Sequence, residues 1–179
     1  METGIKLWAH QEETIRRAQS PFNYHFLAHD TGTGKTCTVI RILCDKCNKE
    51  RRLLRTLIVV PPNILYQFKD EVKKYSNIPD EFVSVLYGHN QKRLSDLQEK
   101  GGIFPDRKGH IFITNYECLL MPKVFEAIKK WLPEVIIGDE LHRCKNPSSK
   151  RTKALIALGD LSTYRYGMTG TPVLNSIED

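Results

Sequence analysis

The segment AHDTGTGKT, at residues 28–36, concentrates two glycines, a lysine and several hydroxyl side chains directly after an apolar segment. Gly32 and Gly34 allow the backbone to turn sharply, so that successive N–H groups point to one side. A helix that begins near Lys35 would add its positive N-terminal end. This pattern is typical of a phosphate-binding loop, in which Lys35 reaches the β- and γ-phosphates and the Thr36 hydroxyl ligates Mg²⁺.

The general pattern of such loops has a glycine five positions before Gly34, where this chain has His29. The alternative interpretation is a glycine-rich turn that binds nothing. An apolar strand before the segment and a helical pattern after it favour phosphate binding, because the loop needs both flanks. The predicted nucleotide contacts of the loop are Thr31, Gly32, Thr33, Gly34, Lys35 and Thr36.

A second candidate for chemistry is EVIIGDELH, at 134–142. A strand that ends in Asp139 and Glu140 places two carboxylates at the carboxyl edge of a sheet, where open α/β folds bind ligands. Asp139 is suited to the Mg²⁺ shell, and Glu140 is suited to orienting an attacking water and accepting its proton. Taken alone, the pair could equally be a helix-capping turn. The phosphate loop about a hundred residues upstream favours catalysis, with Lys35, Asp139 and Glu140 as the catalytic residues.

These residues need a framework of strands and helices. Short β-branched segments alternate with longer segments whose apolar residues recur at every third and fourth position, which predicts an α/β fold with a parallel sheet. The predicted strands are 23–28, 56–60, 82–87, 110–114 and 134–138, and the predicted helical segments are 34–47, 64–75, 91–100 and 116–132. In the first helix, Val39, Ile40, Leu43 and Cys47 share one face. We expect the segment 101–109 to be an exposed and mobile loop.

The composition limits the classes of protein. With 179 residues, 40% of them hydrophobic, the chain can bury one core, which predicts one domain. No apolar stretch approaches the roughly 18 residues of a membrane span, and the N-terminus lacks the layout of a signal peptide. We therefore expect an intracellular protein, cytoplasmic or nuclear, of cellular or viral origin, without a membrane partner. The net charge of +6 favours a polyanionic partner such as nucleic acid.

Five cysteines in irregular positions indicate free thiols rather than a disulfide framework. Cys44 and Cys47 have the spacing of metal ligands, but no second pair follows at the distance of a zinc finger. We interpret both as small hydrophobic residues on a helix.

With the phosphate loop, Asp-Glu-Leu-His and MTGTPVLN in this order, the chain resembles the first RecA-like lobe of superfamily two helicases. The stretches DELHRCKN and TGTP resemble the Swi/Snf-type ATPases, whereas DEAD-box RNA helicases would show Asp-Glu-Ala-Asp and Ser-Ala-Thr. The resemblance implies a three-layer RecA-like P-loop domain over residues 1–179, with ATP and Mg²⁺ as cofactors. It also implies a partner in duplex DNA, bound without sequence preference.

The resemblance assigns further residues to the nucleotide site. Gln11 matches the glutamine that reads adenine in the family, although Ala9 and His10 stand where the family usually has Pro-Tyr. Four residues match the family's elements that couple the nucleotide to the nucleic acid and to the partner lobe. The role suits their chemistry, because a histidine and hydroxyls can exchange hydrogen bonds when the γ-phosphate leaves. They are His142, Thr169, Gly170 and Thr171. Leu141 replaces the usual glycine without an obvious consequence.

Two strand-to-helix turns resemble the family's nucleic-acid motifs, VVPPNILYQF for motif Ia and ITNYECL for motif Ib. Turn N–H groups and short polar side chains can hold phosphate oxygens without reading bases. The alternative is that both are plain β-to-α turns, which any α/β protein needs. The residues predicted to contact nucleic acid are Pro61, Pro62, Asn63, Thr114, Asn115 and Tyr116.

The sequence given ends at Asp179, a few residues after TGTP. In the family a second RecA-like lobe follows and supplies an arginine finger, so the resemblance implies that residues 1–179 are half of a motor and nearly inactive alone. The leading hypothesis is the ATP-binding lobe of a DNA-dependent ATPase that translocates along duplex DNA. Two alternatives are a strand-separating or RNA-directed superfamily two helicase and a non-catalytic, nucleotide-dependent binding module.

Overall fold

The computed structural model describes residues 6–19, 23–28, 30, 32–102 and 107–170. Within these ranges, six strands form one sheet and six α-helices pack on it. The strands are β1 (Tyr24–Ala28), β2 (Thr56–Val60), β3 (Val83–Val85), β4 (Ile111–Asn115), β5 (Val135–Gly138) and β6 (Tyr164–Thr169). The helices are α1 (Ala9–Ala18), α2 (Lys35–Lys49), α3 (Leu65–Tyr75), α4 (Asn90–Gly101), α5 (Pro122–Trp131) and α6 (Lys150–Leu161).

The strand order in the sheet is β1-β6-β5-β2-β4-β3, and every pairing between the described strands is parallel. The five residues of β2 are all buried, as expected for a central strand that is covered on both faces. This confirms the predicted α/β fold with its parallel sheet.

Two hydrophobic cores lie on opposite faces of the sheet, so the domain has three layers. One core packs α1, α2 and α3 against side chains such as Leu27, Ile58 and Ile137. The other packs α4, α5 and α6 against Leu57 and Phe112 among others. Successive side chains of a strand point to opposite faces of the sheet, so the same strands contribute residues to both cores.

The apolar face that the sequence periodicity predicted for helix α2 is buried in the structure. Val39, Ile40, Leu43 and Cys47 are all buried, as the pattern of the helix face required. The five cysteines are free. Cys44 is buried on the same helix, and loss of hydration raises the pKa of its thiol to about 12, so it behaves as a hydrophobic residue. The interpretation of Cys44 and Cys47 as small core residues is confirmed.

Several elements differ from the sequence predictions. The segment 116–132 is not one helix, because a 3₁₀ helix at Tyr116–Leu120 precedes α5, and Pro122 at the start of α5 lacks the N–H group that a continuous helix would use. Strand β6 and helices α1 and α6 were not among the predicted elements. At the start of the predicted exposed loop, Gly101 is buried at the end of α4 against Trp131, so that part of the prediction was wrong, and residues 103–106 lie outside the described ranges.

None of the helices in the described part of the chain combines the length and the apolar character that crossing a membrane requires.

Candidate functional site

The phosphate-loop segment joins β1 to α2 at the carboxyl edge of the sheet. Gly32 and Gly34 have φ angles of +80° and +77°, in the left-handed region that favours glycine. Gly34 is the N-cap residue of α2, so the free N–H groups of the first helical turn follow directly. The positions of both glycines are therefore set by the turn, as the sequence predicted.

Gln11 of α1 lies against this segment and is 7% exposed. Its Nε2 donates to the carbonyl oxygen of Thr33 at 3.3 Å, and its Oε1 accepts from the backbone N–H of Trp8 at 2.9 Å. The His10 Nε2 lies 3.0 Å from the same Thr33 oxygen. The two side chains thus connect α1 to the loop, a structural link that the sequence did not reveal. The contact of Gln11 with adenine stays a prediction.

Lys35 is the first residue of α2, and Thr36 is the second. The Lys35 Nζ donates to the backbone oxygen of Asp30 at 2.8 Å, and the Thr33 hydroxyl donates to the same oxygen at 2.8 Å. The ammonium group therefore folds back over the loop that it follows. Thr31 lies outside the described residues.

Asp139 and Glu140 follow β5, as predicted. Asp139 is 8% exposed. Burial and the neighbouring charge of Glu140 raise the pKa of Asp139 to about 6, although the Glu140 N–H and the Lys35 charge act in the opposite direction. The Lys35 charge thus favours the ionised form of the Asp139 carboxyl, but it does not outweigh burial and the Glu140 charge.

The Glu140 carboxylate meets the predicted coupling residues. Its Oε2 accepts from the backbone N–H of Gly170 at 3.3 Å and from the Thr169 hydroxyl at 3.5 Å, and it lies 3.1 Å from the His142 Nδ1. The same His142 nitrogen lies 3.2 Å from the Thr169 hydroxyl. Glu140 itself has φ of +52°, which is unusual for a residue other than glycine and typical of functional sites. Thr171 lies outside the described residues.

The sheet order explains why residues so distant in sequence meet. Strand β6 lies between β1 and β5, with Ala28 opposite Thr169 and Gly138 opposite Gly167. Since parallel strands end at the same edge, the phosphate loop, the end of β6 and the acidic pair are neighbours.

The donor set fits a magnesium ion that is shared with a nucleotide. Thr36 and the buried Asp139 carboxylate are the predicted protein ligands, and within the described ranges no group of three or more His, Cys, Asp or Glu side chains could hold a metal by itself. Mg²⁺ is usually bound by one or two protein groups, substrate phosphates and waters rather than by a full protein cage. A divalent cation would also relieve the repulsion between Asp139 and Glu140.

Leu141 has a consequence that the sequence did not show. A Cβ at Gly138 would lie 2.7 Å from its Cδ2, and one at Gly167 would lie 2.2 Å from its Cδ1. Two glycines on neighbouring strands therefore make room for the leucine that follows the acidic pair. This packing helps to fix the direction in which the chain leaves Glu140.

The predicted nucleic-acid residues divide into two groups. After β2, Pro61 is buried, whereas Pro62 and Asn63 are exposed in a 3₁₀ helix at Pro62–Ile64. Exposed turn groups at this edge remain available to phosphates.

After β4, the side chains are used inside the protein. Thr114 donates to the Leu86 carbonyl at 3.3 Å, and the Asn115 Oδ1 accepts from the Cys118 N–H at 2.9 Å. Tyr116 is 1% exposed, and its hydroxyl donates to the backbone oxygen of Asp139. The Thr114 and Tyr116 hydroxyls are buried and donate to backbone carbonyls inside the protein, so the structure does not support direct phosphate contacts by these two side chains. Tyr116 instead ties motif Ib to the acidic pair.

A three-layer α/β domain with a phosphate-loop segment and an acidic pair at neighbouring strand ends has the architecture of RecA-like domains. The chain belongs to the SNF2-related domain family, whose family model matches residues 10–179.

Individual relatives agree with this family. The chromodomain-helicase-DNA-binding protein 1-like of Mus musculus is 28% identical over 183 residues, covering 99% of this chain and 19% of the mouse protein. The helicase SWR1 of Saccharomyces cerevisiae is 29% identical over 176 residues, covering 97% of this chain and 11% of the yeast protein. The chain therefore spans a small part of the length of these relatives.

Among solved structures, the SWI2/SNF2 ATPase core of Sulfolobus solfataricus in complex with dsDNA matches with a TM-score of 0.70 and 26% identity, over 98% of this chain and 34% of that chain. The UvsW helicase of bacteriophage T4 matches with a TM-score of 0.65 and 14% identity, over 93% of this chain and 53% of that chain. The second likeness supports the fold alone.

Proposed function

We propose that this domain is the ATP-binding lobe of a DNA-dependent ATPase that hydrolyses ATP to move along duplex DNA. The observation that carries the proposal is the contact of the Glu140 carboxylate with Gly170, Thr169 and His142, beside the Lys35 loop. A carboxylate in this position can orient a water toward a γ-phosphate, and its partners can respond when that phosphate leaves. The SWI2/SNF2 ATPase core, which was solved with dsDNA, supports duplex DNA as the partner.

In this proposal each residue has a separate task. The loop N–H groups and Lys35 bind the phosphates, and Gln11 contacts the adenine. Thr36 and Asp139 would hold Mg²⁺, which supplies charge neutralisation at the β- and γ-phosphate oxygens when bound. Glu140 holds the attacking water and accepts its proton.

Hydrolysis by the full motor requires a second RecA-like lobe with an arginine finger. Such fingers contribute on the order of 10³ to 10⁵ in rate. We therefore expect residues 1–179 to bind nucleotide weakly and to hydrolyse it near the background rate, whether or not DNA is present. Adding the second lobe in cis should restore DNA-stimulated turnover.

A steady-state phosphate-release assay tests this proposal, with and without duplex DNA and with single-stranded RNA as the comparison. The Glu140→Gln form of the two-lobed protein is the control for contaminating activity. Stimulation by RNA alone would favour the RNA-directed helicase, and binding without hydrolysis by the two-lobed protein would favour the non-catalytic module. Robust DNA-stimulated hydrolysis by residues 1–179 alone would refute the requirement for a second lobe.

A further inference from the structure

A cleft lined by cationic side chains lies beside the acidic pair and is not part of the predicted nucleotide or nucleic-acid motifs. It has a volume of about 540 Å³ and lies between the 3₁₀ helix Leu141–Cys144, the start of α6 and Leu120. We define this cationic cleft by its four charged residues, Arg143, Lys145, Lys150 and Arg151.

Three of these charges are uncompensated. Arg143, Lys145 and Lys150 are exposed, and in the described part of the chain no carboxylate lies within ion-pair distance of them. Three cations without a carboxylate partner among the described residues surround one concave surface and repel one another, so the cleft favours an anion that can share them.

The fourth cation is held in place. Arg151 pairs with Glu117 at 2.9 Å, and its guanidinium lies 5.7 Å from the centre of the Tyr116 ring. The floor of the cleft is also fixed, because the Thr152 hydroxyl donates to the Cys144 carbonyl at 3.0 Å and thereby ties α6 to the preceding 3₁₀ helix. The backbone segments that carry Lys145 and Lys150 are therefore tied to each other, so the two lysines stay beside the same cleft.

The neighbours of the cleft indicate which kind of anion it binds. On one side, Arg151 packs on Tyr116, a residue of the predicted motif Ib. On the other side, the lining residue His142 contacts Glu140. The cleft thus extends the predicted nucleic-acid edge toward the hydrolytic carboxylate.

We propose that the cationic cleft binds backbone phosphates of the nucleic acid, with Lys145 and Lys150 as direct phosphate contacts. This inference rests on the proposed function and adds to it a contact site outside motifs Ia and Ib. Because these contacts are to phosphates, they contribute affinity and salt dependence without sequence preference. Phosphate bound here lies next to His142, which connects it to Glu140 and Thr169.

The test uses residues 1–179 and measures fluorescence anisotropy of a labelled 20-base-pair duplex between 50 and 200 mM salt. The variant Lys145→Ala/Lys150→Ala is compared with Lys49→Ala/Lys153→Ala, which removes the same net charge from exposed lysines that do not line the cleft. Each lost phosphate contact reduces the slope of log affinity against log salt by about 0.9. The cleft variant should therefore lose about 1.8 in slope, so that a fourfold rise in salt weakens the wild type about 12-fold more than the variant.

The outcomes separate this inference from the proposed function. Equal slopes for the two double variants, with clear DNA binding by the wild type, would overturn the cleft as a contact site and leave the proposed function intact. Absence of duplex binding by wild-type residues 1–179 at 50 mM salt would overturn the cleft as a contact site, while the phosphate-release assay of the two-lobed protein decides the proposed function separately. Calorimetry with Mg·ATP tests the remaining possibility. If Lys145→Ala/Lys150→Ala loses ATP affinity while its DNA binding is unchanged, the cleft binds the nucleotide and the inference is overturned.

Discussion

Replacing Gly34 by alanine tests whether Gln11 fixes the conformation of the phosphate loop. The new side chain meets two costs: a left-handed φ of +77°, and a Cβ only 2.3 Å from the Gln11 Nε2. Left-handed backbone costs an L-residue about 1–2 kcal/mol. Moving the Gln11 amide also sacrifices its bond to Thr33, worth about 1 kcal/mol. Gly34→Ala should therefore lower the free energy of unfolding by about 2–3 kcal/mol.

Gly32 provides a matched control. It has φ of +80°, but a Cβ there would meet nothing within 4 Å, so Gly32→Ala should show the backbone cost alone, about 1–2 kcal/mol. In a Gln11→Ala background the cost of Gly34→Ala should fall to that same level, which gives a coupling of about 1 kcal/mol in the double-mutant cycle.

Urea unfolding followed by tryptophan fluorescence measures each variant, since Trp8 adjoins Gln11 and Trp131 lies in the opposite core. Equal destabilisation by Gly34→Ala in the wild type and in the Gln11→Ala background would refute the contact between α1 and the loop.

Three further predictions concern the acidic pair and its supports. In the two-lobed protein, Lys35→Ala should abolish Mg·ATP binding measured by calorimetry, whereas Glu140→Gln should retain that binding and lose turnover measured by phosphate release. Equal loss of binding in both variants would contradict the division of roles. Tyr116→Phe should lower the free energy of unfolding by about 1–3 kcal/mol because it leaves the buried Asp139 carbonyl without its donor. Tyr166→Phe is the control in the same denaturation series, and it should be nearly neutral, since the buried Tyr166 hydroxyl has no partner among the described residues. The pKa of Asp139 in the folded protein is raised to about 6, so its carboxyl gains a proton as the pH falls through that value. The affinity for Mg·ATP, measured by calorimetry, should therefore drop about tenfold between pH 7.5 and 5. A flat profile would contradict the role of Asp139.

The sequence predicted the elements whose own residues determine them. The buried β-branched residues of β2 and the helix face of Val39, Ile40 and Leu43 have a local cause, so their patterns were sufficient. Strand β6, in contrast, contains Arg165 and Gly167, which obscure the pattern of a buried strand. It is a strand because β1 and β5 pair with it on both sides.

The candidate site shows the same division. The two loop glycines and the acidic pair lie where their motifs predicted, because each motif sits at a strand end. The contacts of Gln11 with Thr33 and of Tyr116 with Asp139 join residues more than 20 positions apart. Such contacts depend on how whole elements pack, which no local pattern records.

The placement of β6 also sets the order in which the molecule can assemble. Within the described sheet β1 is an edge strand whose partner is β6, and their paired residues, such as Tyr24 and Arg165, are about 140 positions apart. Closing so long a loop costs more conformational entropy than the pairings between strands closer in sequence, which favours late formation of this pair. During synthesis β1 must therefore wait, unpaired, until nearly the whole domain has left the ribosome. The proposed nucleotide site, whose loop follows β1 directly, is therefore expected to be completed late in folding.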